Sequence, residues 1–94
     1  MESQIASQSS EGVNQERLQQ LRVIVADVLE REPAEIADAA DFAREYDADS
    51  MRAIEILARI EKTFRVDIPQ RELPGMQNLL AVYAIVARHA DWQD

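Results

Sequence analysis

Ninety-four residues make one domain with one modest core, burying roughly 60–70% of the surface that the unfolded chain exposes, without a second layer around a deep catalytic cleft. The absence of cysteine, a single histidine (His89) and only two glycines exclude disulfides, thiolate zinc, a cysteine nucleophile, a histidine-rich metal cluster and a glycine-rich phosphate loop. A formal charge of −8 speaks against nucleic acid as a partner, because Lys and Arg are what hold phosphate backbones.

Residues 1–13 are polar and aperiodic, which predicts a flexible tail. They contain no basic start and no apolar run, so no secretory signal is visible, and nothing in the chain approaches the ~20 apolar residues of a membrane span. With Met1 in place, the expectation is a free-standing cytoplasmic protein with no membrane partner. Asn14 is set to cap a first helix over 15–31, and Glu16 suits the positive end of its dipole. Leu18, Leu21, Val25, Val28 and Leu29 recur there at helical spacing, and the pattern ends before Pro33.

Residues 32–49 form a long connection, unusual in a small domain unless it has a task. Ile36, Phe42 and Tyr46 are its expected anchors, with a short helical turn around 39–46. The negative charge gathers here. Residues 27–49 hold nine acids against Arg31 and Arg44, net −7, whereas residues 50–94 balance to zero. Such a run is either a solvated loop or a docking surface for partners with basic patches, whose encounter the field accelerates.

A second helix is predicted over about 50–65, and its apolar residues fall on two arcs. Ala53, Ile56, Leu57, Ile60 and Phe64 form the broad arc that faces the core, with Met51, Ile54 and Ala58 in a narrow adjoining stripe. That stripe is either extra burial against a loop or an exposed strip beside Ser50 that a partner grips. An extended link ends at Ile68-Pro69, and Gln70 to Leu73 fit one helical turn closed by the breaker pair Pro74-Gly75. Asn78 then caps a last helix over 79–90 with Leu79, Val82, Tyr83 and Val86 inward, and Trp92 follows in a short polar tail. The expected fold is all-α: a small four-helix bundle of three main helices and one short one, with a long loop between the first two. The domain spans 14–90, with a tail over 91–94.

Little here suits catalysis. His89 ends the last helical pattern, where capping of helix carbonyls is its ordinary role, and no glycine-flanked nucleophile turn surrounds Ser50. The acids of 38–49 lack the spacing and central glycine of an EF-hand. A serine ahead of an apolar-periodic run is usually a helix N-cap, and Ser50 taken alone reads as one.

Its surroundings say more. The segment Asp41-Phe42-Ala43-Arg44-Glu45-Tyr46-Asp47-Ala48-Asp49-Ser50-Met51 resembles the phosphopantetheine attachment region of acyl carrier proteins. Ile54-Glu55, Phe64, Val66 and Ile68-Pro69 are similar in type and spacing to that family's second helix and its exit, so the likeness covers about residues 15–90. The resemblance implies a non-enzymatic carrier whose Ser50 is esterified to 4′-phosphopantetheine by a separate phosphopantetheinyl transferase. The arm's thiol would then bear acyl thioesters between an acyl-loading enzyme, a ketosynthase and other pathway enzymes, with the carrier itself a monomer. By the same resemblance Asp49 assists modification, Met51, Ile54 and Ala58 make apolar contact with partners, and Glu55 makes an acidic one.

Two departures from the family pattern stand out. Asp47 replaces the family's glycine three residues before the serine, and Asp tolerates the left-handed backbone less well than Gly but better than most residues. Over 49–65, three acids (Asp49, Glu55, Glu61) face four bases (Arg52, Arg59, Lys62, Arg65), a net +1 where bacterial fatty-acid carriers are densely acidic. A basic groove built for those carriers would be repelled, which points to a discrete carrier of polyketide or specialised fatty-acid assembly. An aminoacyl or peptidyl carrier is the nearest alternative, although Asp47-Ala48-Asp49 lacks the Gly-Gly pair usual in the peptidyl kind. The remaining alternative is a plain helical adaptor with Ser50 as a cap.

Overall fold

The structure is a computed structural model and describes residues 13–92, so the expected tail over 1–13 lies, apart from Val13, outside the described residues. Helix α1 spans Gln15–Leu29, capped by Asn14, whose side chain accepts from the Arg17 N–H at 3.0 Å. It buries Leu18, Leu21, Val25, Ala26, Val28 and Leu29, the predicted stripe with Ala26 added. The helix stops two residues before the predicted end because Glu30 turns left-handed (φ 60°, ψ 47°) and its N–H closes on the carbonyls of Ala26 and Asp27.

The connection that follows is pinned throughout. A 3-10 turn at Pro33–Glu35 precedes buried Ile36, and the short helix α2, Phe42–Tyr46, buries Phe42. The Tyr46 hydroxyl donates to the Glu35 carbonyl at 2.7 Å and accepts from the Ala37 N–H at 3.1 Å, with the Arg31 guanidinium 5.3 Å from its ring centre. Arg22 of α1 donates to the Ile36 carbonyl and pairs with Asp38 at 2.7 Å. The three expected anchors hold the loop, and Arg22 adds a fourth.

Helix α3, Ser50–Phe64, buries Ile56, Leu57 and Ile60, while Ala53 and Phe64 of the same arc are half-buried. After it, the Ile68 N–H donates to the Glu61 carboxylate at 2.9 Å, and Ile68 is buried. The next 3-10 turn runs over Gln70–Gly75, so Pro74 and Gly75 complete the turn where they were expected to close it. Helix α4, Leu79–Ala90, is capped by Asn78 and buries Leu79, Val82, Tyr83, Ile85 and Val86. Helix α1 packs against both α3 and α4, and the shared core lies between the three. The described residues contain no strand, and the all-α bundle stands. No helix among them is long and apolar enough to cross a membrane.

Two expectations near the end of the chain change. Trp92 does not trail away: its ring lies edge-on to Phe64 at 5.2 Å and 5.3 Å from Tyr83, with Arg17 over it at 4.5 Å. His89 does not cap helix carbonyls. Its Nε2 lies 2.7 Å from the Glu72 carboxylate, because α4 passes the 70–75 turn at that point.

Candidate functional site

The acidic loop reaches Ser50 through one tight turn. Asp41 caps α2 by accepting from the N–H groups of Ala43 and Arg44, and Phe42 anchors the helix in the core. Asp47 ends it in the left-handed region (φ 56°, ψ 33°), the conformation that made a residue other than glycine notable at this position. Asp49 then starts α3, its carboxylate accepting from the Arg52 N–H at 3.0 Å. The N-cap is therefore Asp49, and Ser50 is the first helical residue.

The consequence for Ser50 is chemical. The cap has been supplied by its neighbour, so the Ser50 hydroxyl is exposed and makes no hydrogen bond among the described residues. It stands at the positive end of a 15-residue helix, beside first-turn N–H groups that have no partner inside the helix. A phosphodiester on this oxygen would be stabilised there, so the residues fit a phosphate-linked prosthetic arm.

Beside Ser50 opens a cleft of about 420 Å³. Phe42, Ala48, Ala53, Ile56, Leu73 and Met76 supply its apolar lining, and Asp41, Asp49, Ser50 and Gln77 its polar side chains. Sequence reasoning singled out Asp49 and Ser50 but not Leu73, Met76 or Gln77. A local cue to Met76 was absent, because what brings it here is the pairing of the Phe42 N–H with the Gln77 carbonyl at 2.8 Å, across more than thirty residues of chain.

Met51, Ile54, Glu55 and Ala58 lie outside the cleft, on the exposed flank of α3 that runs on from Ser50. Met51 is 72% exposed and Ile54 42%, so the stripe is not buried against a loop. The helix's positive charges are partly turned aside. Arg52 donates to the Val28 carbonyl and lies 3.5 Å from Glu30, and Arg59 pairs with Asp27 and, at 3.6 Å, with Glu55. The hydrogen bond to Asp27 holds the Arg59 guanidinium above its ordinary pKa. Two of the four bases thus brace α1, and the loop acids Asp38, Glu45, Asp47 and Asp49 stay exposed.

Comparison with known proteins points the same way. The family described as "Phosphopantetheine attachment site" matches residues 19–86. Polyketide-8 synthase acyl carrier protein 1 of Streptomyces avermitilis is 44% identical over 79 residues, covering 84% of this chain and 94% of that one. The acyl carrier protein of Thermosynechococcus vestitus is 37% identical over 64 residues, covering 68% and 79%. Among solved structures, a chain from "The ishigamide ketosynthase/chain length factor" superposes with a TM-score of 0.68 at 34% identity, covering 82% of this chain and 97% of that one. The prosthetic group that the family carries is 4′-phosphopantetheine, covalently attached, which supplies a thiol for thioester formation. The family match over residues 19–86, together with a 44% identical acyl carrier protein covered to 94% of its length, makes this chain a member of the acyl carrier protein family.

Proposed function

We propose that Ser50 is the tether, its oxygen joined as a phosphodiester to 4′-phosphopantetheine, and that the chain carries acyl thioesters through polyketide assembly. The observation that carries this reading is the free hydroxyl of Ser50 at the first position of α3, released by the Asp49 cap. The carrier performs no reaction of its own. A phosphopantetheinyl transferase moves the arm from coenzyme A onto Ser50, an acyl-loading enzyme charges the thiol, and a ketosynthase draws on the thioester. The relatives named as polyketide-synthase carriers, and the likeness to a chain from a ketosynthase/chain length factor structure, favour this pathway over an aminoacyl or peptidyl one.

The other site residues take roles around the serine. Asp49 assists the transferase as well as capping the helix. Met51, Ile54 and Ala58 offer an apolar strip to partner enzymes, with Glu55 as a polar contact on its edge. The exposed loop acids attract basic surfaces to the same end of the molecule, and the monomer works in the cytoplasm. The cleft beside Ser50 shelters the first carbons of the cargo, since its lining is mainly apolar and Ser50 itself borders it.

The test is direct. A promiscuous transferase with coenzyme A is expected to add one arm to the wild-type chain, seen by intact mass, and none to Ser50→Ala. An unmodified wild type would sink the reading and leave a helical adaptor.

A further inference from the structure

One wall of the cleft is built differently from the rest. Phe42 and Ile56 are buried residues of α2 and α3, but Leu73 and Pro74 belong to the 3-10 turn Gln70–Gly75, none of whose residues is buried. Leu73 is its one side chain packed against the core, so the turn depends on polar contacts to a degree that the helices do not. Its ion pairs are made by residues outside the cleft lining. The Glu72 carboxylate accepts from Arg88 at 2.8 Å and from His89 Nε2 at 2.7 Å, and its side chain is only 18% exposed. Asp67 and His89 both line a small hollow beside Ile68 and Pro69.

We propose that Glu72 is a positioning residue: clamped by Arg88 and His89 of the terminal helix, it holds Leu73 and Pro74 against the cleft and so governs how well acyl cargo on Ser50 is shielded from water. Glu72 directly precedes Leu73, so a shift of its carboxylate is transmitted to the wall within one residue. The inference rests on the reading of Ser50 as the tether and of the cleft as a shelter. It adds that the shelter is controlled from the opposite side of the turn, by residues that touch neither cargo nor arm.

The experiment loads Ser50 from octanoyl coenzyme A with a promiscuous transferase and follows spontaneous thioester hydrolysis by intact mass. Removing the clamp in Glu72→Ala is expected to speed hydrolysis about three- to tenfold, the effect of losing charge-assisted hydrogen bonds on the population of the closed wall. The double variant Arg88→Ala/His89→Ala, which keeps Glu72 but removes its donors, is expected to match it. Val25→Ala, which opens a gap in the core on α1 away from the clamp and the cleft lining, lowers the melting temperature but leaves hydrolysis at the wild-type rate. Equal acceleration by Val25→Ala would overturn the proposal, since general loosening would then explain the result. Wild-type hydrolysis in Glu72→Ala, alongside faster hydrolysis when Ala53→Leu fills the cleft, would overturn the clamp and leave the shelter intact. If Ala53→Leu also hydrolyses at the wild-type rate, the shelter and the clamp fall together, and if no octanoyl group is gained, the tether falls as well.

Discussion

A serine and an aspartate exchange the roles that a residue-by-residue reading of the sequence suggests. Ser50 looked like a cap, and Asp49 does the capping, which leaves the hydroxyl free at the surface. Asp49 caps α3, and its proposed assistance to the transferase is a second duty that substitutions can separate from the first. Asp49→Ala loses the cap and is expected to cost about 1 kcal/mol in urea unfolding. Asp49→Asn keeps the cap, so its stability is expected to stay near wild type while arm attachment by the transferase slows; unchanged attachment kinetics would remove Asp49 from the modification step. The Glu72 carboxylate has its own signature. The His89 hydrogen bond, followed by that from Arg88, holds its pKa below the ordinary carboxylate value. A folded-state pKa below the unfolded one gives stability that is complete above the unfolded value and is lost as pH falls through the folded one. Urea melts from neutral pH down to about pH 3 are thus expected to show a steeper acid loss for wild type than for Glu72→Gln.

The helices end in an unusual way. Each of the four α-helices stops at a left-handed residue that is not glycine: Glu30, Asp47, Arg65 and Asp91. The ordinary glycine stop signal is missing from all four, yet α2 and α4 end at the predicted residues 46 and 90 and α3 within one residue of its predicted end. α1 was expected to reach residue 31 and stops at Leu29. Asp47 is the informative case, because it orients the turn into Ser50. Asp47→Gly relieves the strain of a side chain in this conformation, partly offset by the greater freedom of glycine in the unfolded chain. It is expected to raise stability by about 0.5–1 kcal/mol in denaturant melts, with arm attachment intact. A loss of stability would mean that the Asp47 side chain supports the turn.

Across the whole molecule, α1 is the strut on which the site depends. It packs against α3 and α4, pins the long loop through Arg22, and anchors α3 through the contacts that Arg52 and Arg59 make with Val28, Glu30 and Asp27. Trp92 closes the other end against Phe64, Tyr83 and Arg17. Trp92→Ala is expected to cost about 2 kcal/mol, less than a fully buried tryptophan, when unfolding is followed by circular dichroism. What the sequence determined by itself was local: helical periodicity for α1, α3 and α4, the caps Asn14 and Asn78, the anchors of the loop, and the motif around Ser50, because each depends on residues a few positions apart. Which side chains of distant segments meet was settled by packing. The cleft of Phe42, Ile56, Leu73 and Met76, the Glu72–His89 contact and the docking of Trp92 all arise where packing brings together residues whose separation in sequence carries no periodic signal.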